Sequence, residues 1–186
     1  MATPINMLPH LLIVPGLGGS GINHWQRLWN EEHPNSKMVE QEDWEKPIFE
    51  KWVAQLNKSI QELQQPTILV GHSLGAILVT LWANHYQNQN IVGALLVAPA
   101  DVDSATHTPE ILWNFAPIPL NKLTFPSFVI TSNNDPYVSI ERAEFFSKSW
   151  GSRFVAICNK GHINSESNLG SWKEGHDYLE SFSNNI

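Results

Sequence analysis

The stretch Thr67-Ile68-Leu69-Val70-Gly71-His72-Ser73-Leu74-Gly75-Ala76-Ile77-Leu78 decides how this chain folds. Its first four residues form a short apolar run that predicts a strand, and the apolar sequence from Leu74 to Gln87 predicts a helix. Between them stands G-x-S-x-G. A strand that turns at once into a helix forces the intervening serine into strained backbone geometry, and glycines two residues to either side remove the clashes that side chains would make. Ser73 is therefore expected to project at the carboxyl edge of a sheet, with the N–H of Leu74 at a helix N-terminus. The plainer reading, a glycine-bounded turn with a capping serine, does not account for the strand and the helix meeting there.

Outward from this turn, short apolar runs alternate with helical patterns. Strands are expected over 11–14, 38–40 (weak), 67–70, 91–98, 127–131 and 154–158, and helices over 23–32, 47–64, 74–87, 140–150 and 171–182. This order predicts an α/β protein with a doubly wound, mainly parallel sheet and helices on both faces. All the runs but the second are continuously apolar, as strands covered on both sides should be. In the helix over 47–64, Phe49, Trp52, Val53, Leu56, Ile60 and Leu63 share one stripe behind Pro47, a residue suited to a first turn.

At about 150 residues per domain, 186 residues make a single domain over 1–186. Folding should remove roughly 70% of the unfolded surface from water, enough for a core without staples. The formal charge of −7 repels polyphosphates and anionic lipid surfaces, so no nucleic acid or membrane partner is expected. Cys158, the one cysteine, has no internal disulfide partner and reads as a small buried residue at a strand end. No leader-like N-terminal segment is legible, and the apolar runs are far shorter than the roughly 20 residues of a membrane-spanning helix. A cytoplasmic protein is expected.

A serine hydroxyl is a weak nucleophile unless a histidine takes its proton and a carboxylate orients that histidine. In this architecture the acid and the base follow the serine in that order, each just after a strand. Asp135 follows the strand over 127–131, and His162 follows the strand over 154–158. Asp101 and Asp103, after the preceding strand, offer an alternative acid. His72 should be turned away from the site. Acyl transfer also needs donors for a developing oxyanion. The N–H of Leu74 is one candidate, and the N–H of Leu17, in the glycine loop 15–21, is the second. Activity should rise with pH through roughly 6 to 7, because only neutral His162 accepts the serine proton.

The same loop supports a rival of another class. Gly16, Gly18 and Gly21 spell G-x-G-x-x-G between a strand and a helix, and Glu40 sits near the end of a weak strand, where a ribose-binding acid belongs. A dinucleotide-binding oxidoreductase would, however, leave the ordered Ser73, Asp135 and His162 unexplained. With no H-E-x-x-H and no paired cysteines, neither metal nor cofactor is expected. The connection over 99–125 has room for one short helix, 109–115, capped by Thr108. Ile111, Leu112, Trp113 and Phe115 would then form a low wall beside Ser73 and give a site for small acyl groups.

Four segments together resemble the small α/β-hydrolase family of YdeN-type serine hydrolases, related to retinoblastoma-binding protein nine. They are Val14-Pro15-Gly16 with its glycine loop, Asn23-His24-Trp25-Gln26 with Trp29, Gly71-His72-Ser73-Leu74-Gly75, and Gly161-His162-Ile163-Asn164-Ser165-Glu166-Ser167 running to Gly170-Ser171-Trp172. The last is the most specific, because the fold does not by itself demand Asn164, Ser167 or Trp172. The resemblance implies a minimal α/β-hydrolase fold with little or no cap, a Ser73–Asp135–His162 triad, and hydrolysis of small carboxylic esters or related acyl compounds. An L-x-C-x-E segment, through which the human relative binds a pocket protein, is missing around Cys158, so that role is not carried over. An interaction protein on the same fold with a vestigial triad is the remaining alternative.

Overall fold

The computed structural model describes residues 9–186. The N-terminal residues read above for a leader lie largely outside this range. Six strands, β1 (His10–Val14), β2 (Ser36–Met38), β3 (Thr67–His72), β4 (Ile91–Val97), β5 (Ser127–Ser132) and β6 (Arg153–Ile157), form one parallel sheet in the order β2-β1-β3-β4-β5-β6. Five helices connect or follow them: α1 (Trp25–Glu32), α2 (Phe49–Gln61), α3 (Leu74–His85), α4 (Ile140–Trp150) and α5 (Lys173–Ser183).

Side chains alternate across a strand, so each strand feeds both faces of the sheet. Leu12, Val14, Leu69, Leu96 and Val129 point to one face, where α2, α3 and α4 cover them with Trp52, Leu56, Ile60, Ile77, Trp82, Phe146 and Trp150. Leu11, Ile13, Ile68, Val70, Leu95, Val97 and Ile130 point to the other, under Trp25 and Trp29 of α1 and Leu179 and Phe182 of α5. The helix α3, buried all round from Leu74 to Trp82, runs against β3 in the middle of the sheet. Burial of this apolar surface, at about 25 cal/mol per Å², is the main favourable term.

Element types follow the sequence; the placement of the second strand and several local readings do not. The weak second strand lies two residues earlier than expected, at Ser36–Met38, and Glu40 is exposed beyond it. Pro47 falls before the cap of α2, which is Ile48, rather than in its first turn. β6 is an edge strand with only Ile157 fully buried, so it is not covered on both faces as its apolar run suggested. Cys158 lies past its end and is exposed, not a core residue. The short helix in the 99–125 connection is a 3₁₀ segment, Glu110–Phe115. Thr108 does not cap it; its hydroxyl donates back to the carbonyls of Asp101 and Ser104.

Candidate active site

The strand order places a switch point between β1 and β3, whose following connections leave for opposite faces of the sheet. Crevices at the carboxyl ends of such strands are where ligands bind in open α/β sheets. Ser73 stands there, at φ 57° and ψ −123°, the strained conformation that its motif predicts. Only glycine fits on either side of it. A Cβ on Gly75 would lie 2.0 Å from the Val14 carbonyl oxygen, and one on Gly71 would lie 2.7 Å from Ala76 Cα.

Ser73 Oγ lies 2.8 Å from His162 Nε2, and His162 Nδ1 lies 2.9 Å from both carboxylate oxygens of Asp135. A carboxylate only accepts, so the Nδ1 hydrogen points to Asp135 and the Nε2 lone pair faces the serine hydroxyl. The Asp135 side chain is fully buried, and its Oδ1 also accepts from the Tyr137 N–H at 2.9 Å. The loops carrying Asp135 and His162 are braced together. Asn134 Oδ1 accepts from the Gly161 N–H, Ser132 Oγ from the Lys160 N–H, and Asn133 Oδ1 from the Asn159 N–H. The alternative acids are committed elsewhere. Asp101 takes the Arg142 guanidinium at 2.9 Å, and Asp103 accepts from Arg142 and from the Ile118 N–H.

The N–H groups of Leu17 and Leu74 donate to no other group among the described residues. Gly16 approaches so closely that a Cβ on it would sit 3.0 Å from Ser73 Cβ and 3.2 Å from the Leu74 nitrogen. The space in front of that N–H exists because residue 16 has no side chain. The dinucleotide reading of the same loop fails here. In that fingerprint the third glycine permits close helix–strand packing, whereas Gly21 lies ahead of α1 and a Cβ on it would meet nothing within 4 Å.

The pattern around α1 now has a structural account. Gln26, completely buried, donates through Nε2 to the carbonyls of Val14 and Val70 and accepts from Ser20 Oγ, tying together the ends of β1 and β3. Trp25 donates its indole N–H to the carbonyl of Ile163, next to His162, and Trp29 donates to that of Ser171. The Asn23–Trp29 and Gly161–Trp172 segments therefore form one packing unit under His162.

His72 is not turned away. Strand β3 runs through it, so it shares the face of Val70 and lies under the site, donating its Nε2–H to the His162 carbonyl at 2.9 Å. His24 lies against it, ring centroids 4.8 Å apart, and caps α1 by accepting the Gln26 N–H at Nδ1. Burial first, and the nearby His162 second, push the His24 pKa down to about 4. Burial, then His24 and His162, hold His72 well below the ordinary histidine range. Protonating His24 would also destroy its capping bond and place a cation at a helix N-terminus.

Both imidazoles are thus kept neutral in the fold while the unfolded chain takes up protons below about pH 6.5, so stability is full above that pH and is lost on acidification towards 4. For His24 alone this amounts to about 2 kcal/mol between pH 7 and pH 5. Urea unfolding at the two pH values should show at least that fall. His24→Asn, which keeps a capping oxygen and cannot titrate, should reduce it; an unchanged pH dependence in that variant would refute the assignment.

The family described as serine hydrolase matches residues 11–181. A YdeN-like hydrolase of Pectobacterium atrosepticum is similar in structure, with a TM-score of 0.84 and 32% identity over 95% of this chain and 91% of that one. The ydeN gene product of B. subtilis superposes with a TM-score of 0.79 at 20% identity, covering 93% of this chain and 97% of that one. Est1E from Butyrivibrio proteoclasticus, at 15% identity and a TM-score of 0.67, covers 98% of this chain and 88% of its own, and shares the fold. No curated protein matched the chain. A family match across nearly the whole sheet, with the family's serine motif at the turn it requires, makes this chain a member of the serine hydrolase family on a minimal α/β-hydrolase fold.

Proposed function

We propose that the protein hydrolyses small carboxylic esters or related acyl compounds through an acyl-enzyme on Ser73. The observation that carries this reading is the continuous relay from Ser73 Oγ through His162 to Asp135, at 2.8 and 2.9 Å. His162 Nε2 takes the hydroxyl proton as Oγ attacks the acyl carbon. The resulting oxyanion is held by the N–H groups of Leu17 and Leu74. The same proton then passes from Nε2 to the leaving group as its bond to the acyl carbon breaks. A water molecule, deprotonated by His162, attacks the ester so formed; its proton returns to Ser73 and the acid is released. Asp135 holds the imidazole in the required tautomer and stabilises the transient imidazolium. Membership of the family and the 32% identity with a YdeN-like hydrolase support a hydrolytic reaction of this kind.

The acyl side is small. The pocket over Ser73 has a volume of about 370 Å³, and the 99–125 connection contributes Ala100, Pro109 and Leu112 to its wall. Phe115 is directed into the core against Phe49 and Trp52, while Ile111 and Trp113 are 39% and 42% exposed and line no part of it. Of the four residues expected to form this wall, only Leu112 does so. Each buried methylene is worth about 0.8 kcal/mol, so kcat/KM should climb about four-fold per carbon only until this short wall is covered. Across p-nitrophenyl esters of increasing chain length, the maximum is expected at roughly two to four carbons. A maximum at medium or long chains would contradict the small site, and no hydrolysis of any member would overturn the proposed function.

A further inference from the structure

The walls of the pocket differ in character, and the reaction assigns them to different parts of the substrate. In the tetrahedral adduct the acyl carbon carries four groups: Ser73 Oγ, the oxyanion towards Leu17 and Leu74, the leaving group beside the Nε2 that protonates it, and the acyl chain in the remaining direction. The leaving group therefore lies along the His162 loop. That loop lines the pocket with Asn164, Ser165 and Glu166, whereas Ala100, Pro109 and Leu112 line it elsewhere.

The polar groups of the loop are not equally free. Asn164 Oδ1 accepts the Glu166 N–H, and Ser167 Oγ accepts the Asn164 N–H and donates to the Lys160 carbonyl. The Glu166 carboxylate, in contrast, forms no ion pair among the described residues, and no lysine or arginine lines the pocket. Lys160, on the same loop, neither pairs with it nor lines the pocket. Tyr137 lines the same pocket, 39% exposed, with its ring centroid 4.5 Å from that of His162. An exposed aromatic ring and an unpaired carboxylate are the two surfaces that attract an ammonium group.

Resting on the acyl-enzyme reading above, we propose that the leaving-group side of the site selects cationic alcohols or amines, with Glu166 as the recognising charge and Tyr137 as an aromatic face. Anionic leaving groups, including those bearing phosphates or carboxylates, are discriminated against, because the pocket wall offers them no cation and the chain's net charge of −7 repels them at long range.

The test compares kcat/KM for three butyrate esters on the intact protein. These are choline butyrate, its uncharged isostere with a quaternary carbon in place of the nitrogen, and the butyrate ester of β-hydroxypropionate. One exposed charge pair is worth up to about five-fold, so choline butyrate is expected about five-fold above the isostere and the anionic ester about five-fold below it. High salt should compress both ratios. In Glu166→Gln the ratio of choline ester to isostere should fall to about one, and in Glu166→Lys the order of cation and anion should invert. Equal kcat/KM for choline ester and isostere, or a preference that survives in Glu166→Gln, would overturn the proposal. Failure to hydrolyse even the isostere would instead overturn the acyl-enzyme reading on which it rests.

Discussion

Ser73→Ala is expected to lower kcat for an activated ester by about four orders of magnitude or more while leaving the fold intact, the loss that follows when the nucleophile of such a relay is removed. The substitution deletes one oxygen from a position whose backbone is fixed from outside. The Ser73 N–H donates to the Val97 carbonyl, its own carbonyl accepts from Ala76, and its flanks are the glycine contacts with Val14 and Ala76. Alanine adopts the same φ with no larger side chain than serine, so the turn has no new reason to rearrange. What remains is a pocket with two backbone donors and a base but nothing for the base to deprotonate except water. A fluorophosphonate should add once per chain to the unaltered protein and not at all to the variant. Full labelling of Ser73→Ala would show that another residue is the nucleophile.

Asp135→Asn should cost up to about 10⁴ in kcat, with little change in folding. The asparagine carbonyl can still accept the Tyr137 N–H that Oδ1 now accepts, which leaves the amide nitrogen facing His162 Nδ1. That nitrogen donates, so Nδ1 must become the acceptor and the ring hydrogen moves to Nε2, where it faces Ser73 and blocks proton uptake. The loss thus arises from a tautomer rather than from missing charge alone. Asp101→Asn is the matching control. Asp101 is 3% exposed and bonded to Arg142, so its substitution should weaken the attachment of the 101–118 connection to α4 and lower stability rather than the chemical step. If that variant carried the 10⁴ loss instead, the acid would be misassigned.

The two effects rest on residues of different legibility. Ser73 was readable because a local pattern dictates its geometry: two glycines, a strand before and a helix after confine it whatever the rest of the chain does. His162 was readable from order alone, as the histidine after the last strand. Asp135 was not separable from Asp101 and Asp103 in this way. All three follow a strand, and only the Arg142 guanidinium, contributed by a helix distant in sequence, withdraws two of them from the site.

By itself the sequence determined the class of fold, the number and type of its main elements, and the strained turn at the end of β3, because these follow from short-range causes: apolar periodicity, turn glycines and the alternation of strands with helices. It misplaced what depends on the neighbours a residue acquires. An apolar run does not say whether its strand lies at the centre or the edge of the sheet, so β6 read as buried and Cys158 as core. A histidine beside Ser73 does not reveal that the strand continues through it and turns its ring under the site, where it holds the His162 carbonyl and is kept neutral by burial. Only the tertiary structure decided which carboxylate reaches His162, that Leu112 alone of the expected wall faces the pocket, and that Gln26 and Trp25 lock the loops together, since each depends on a hydrogen bond or contact between segments that meet only when the sheet is assembled.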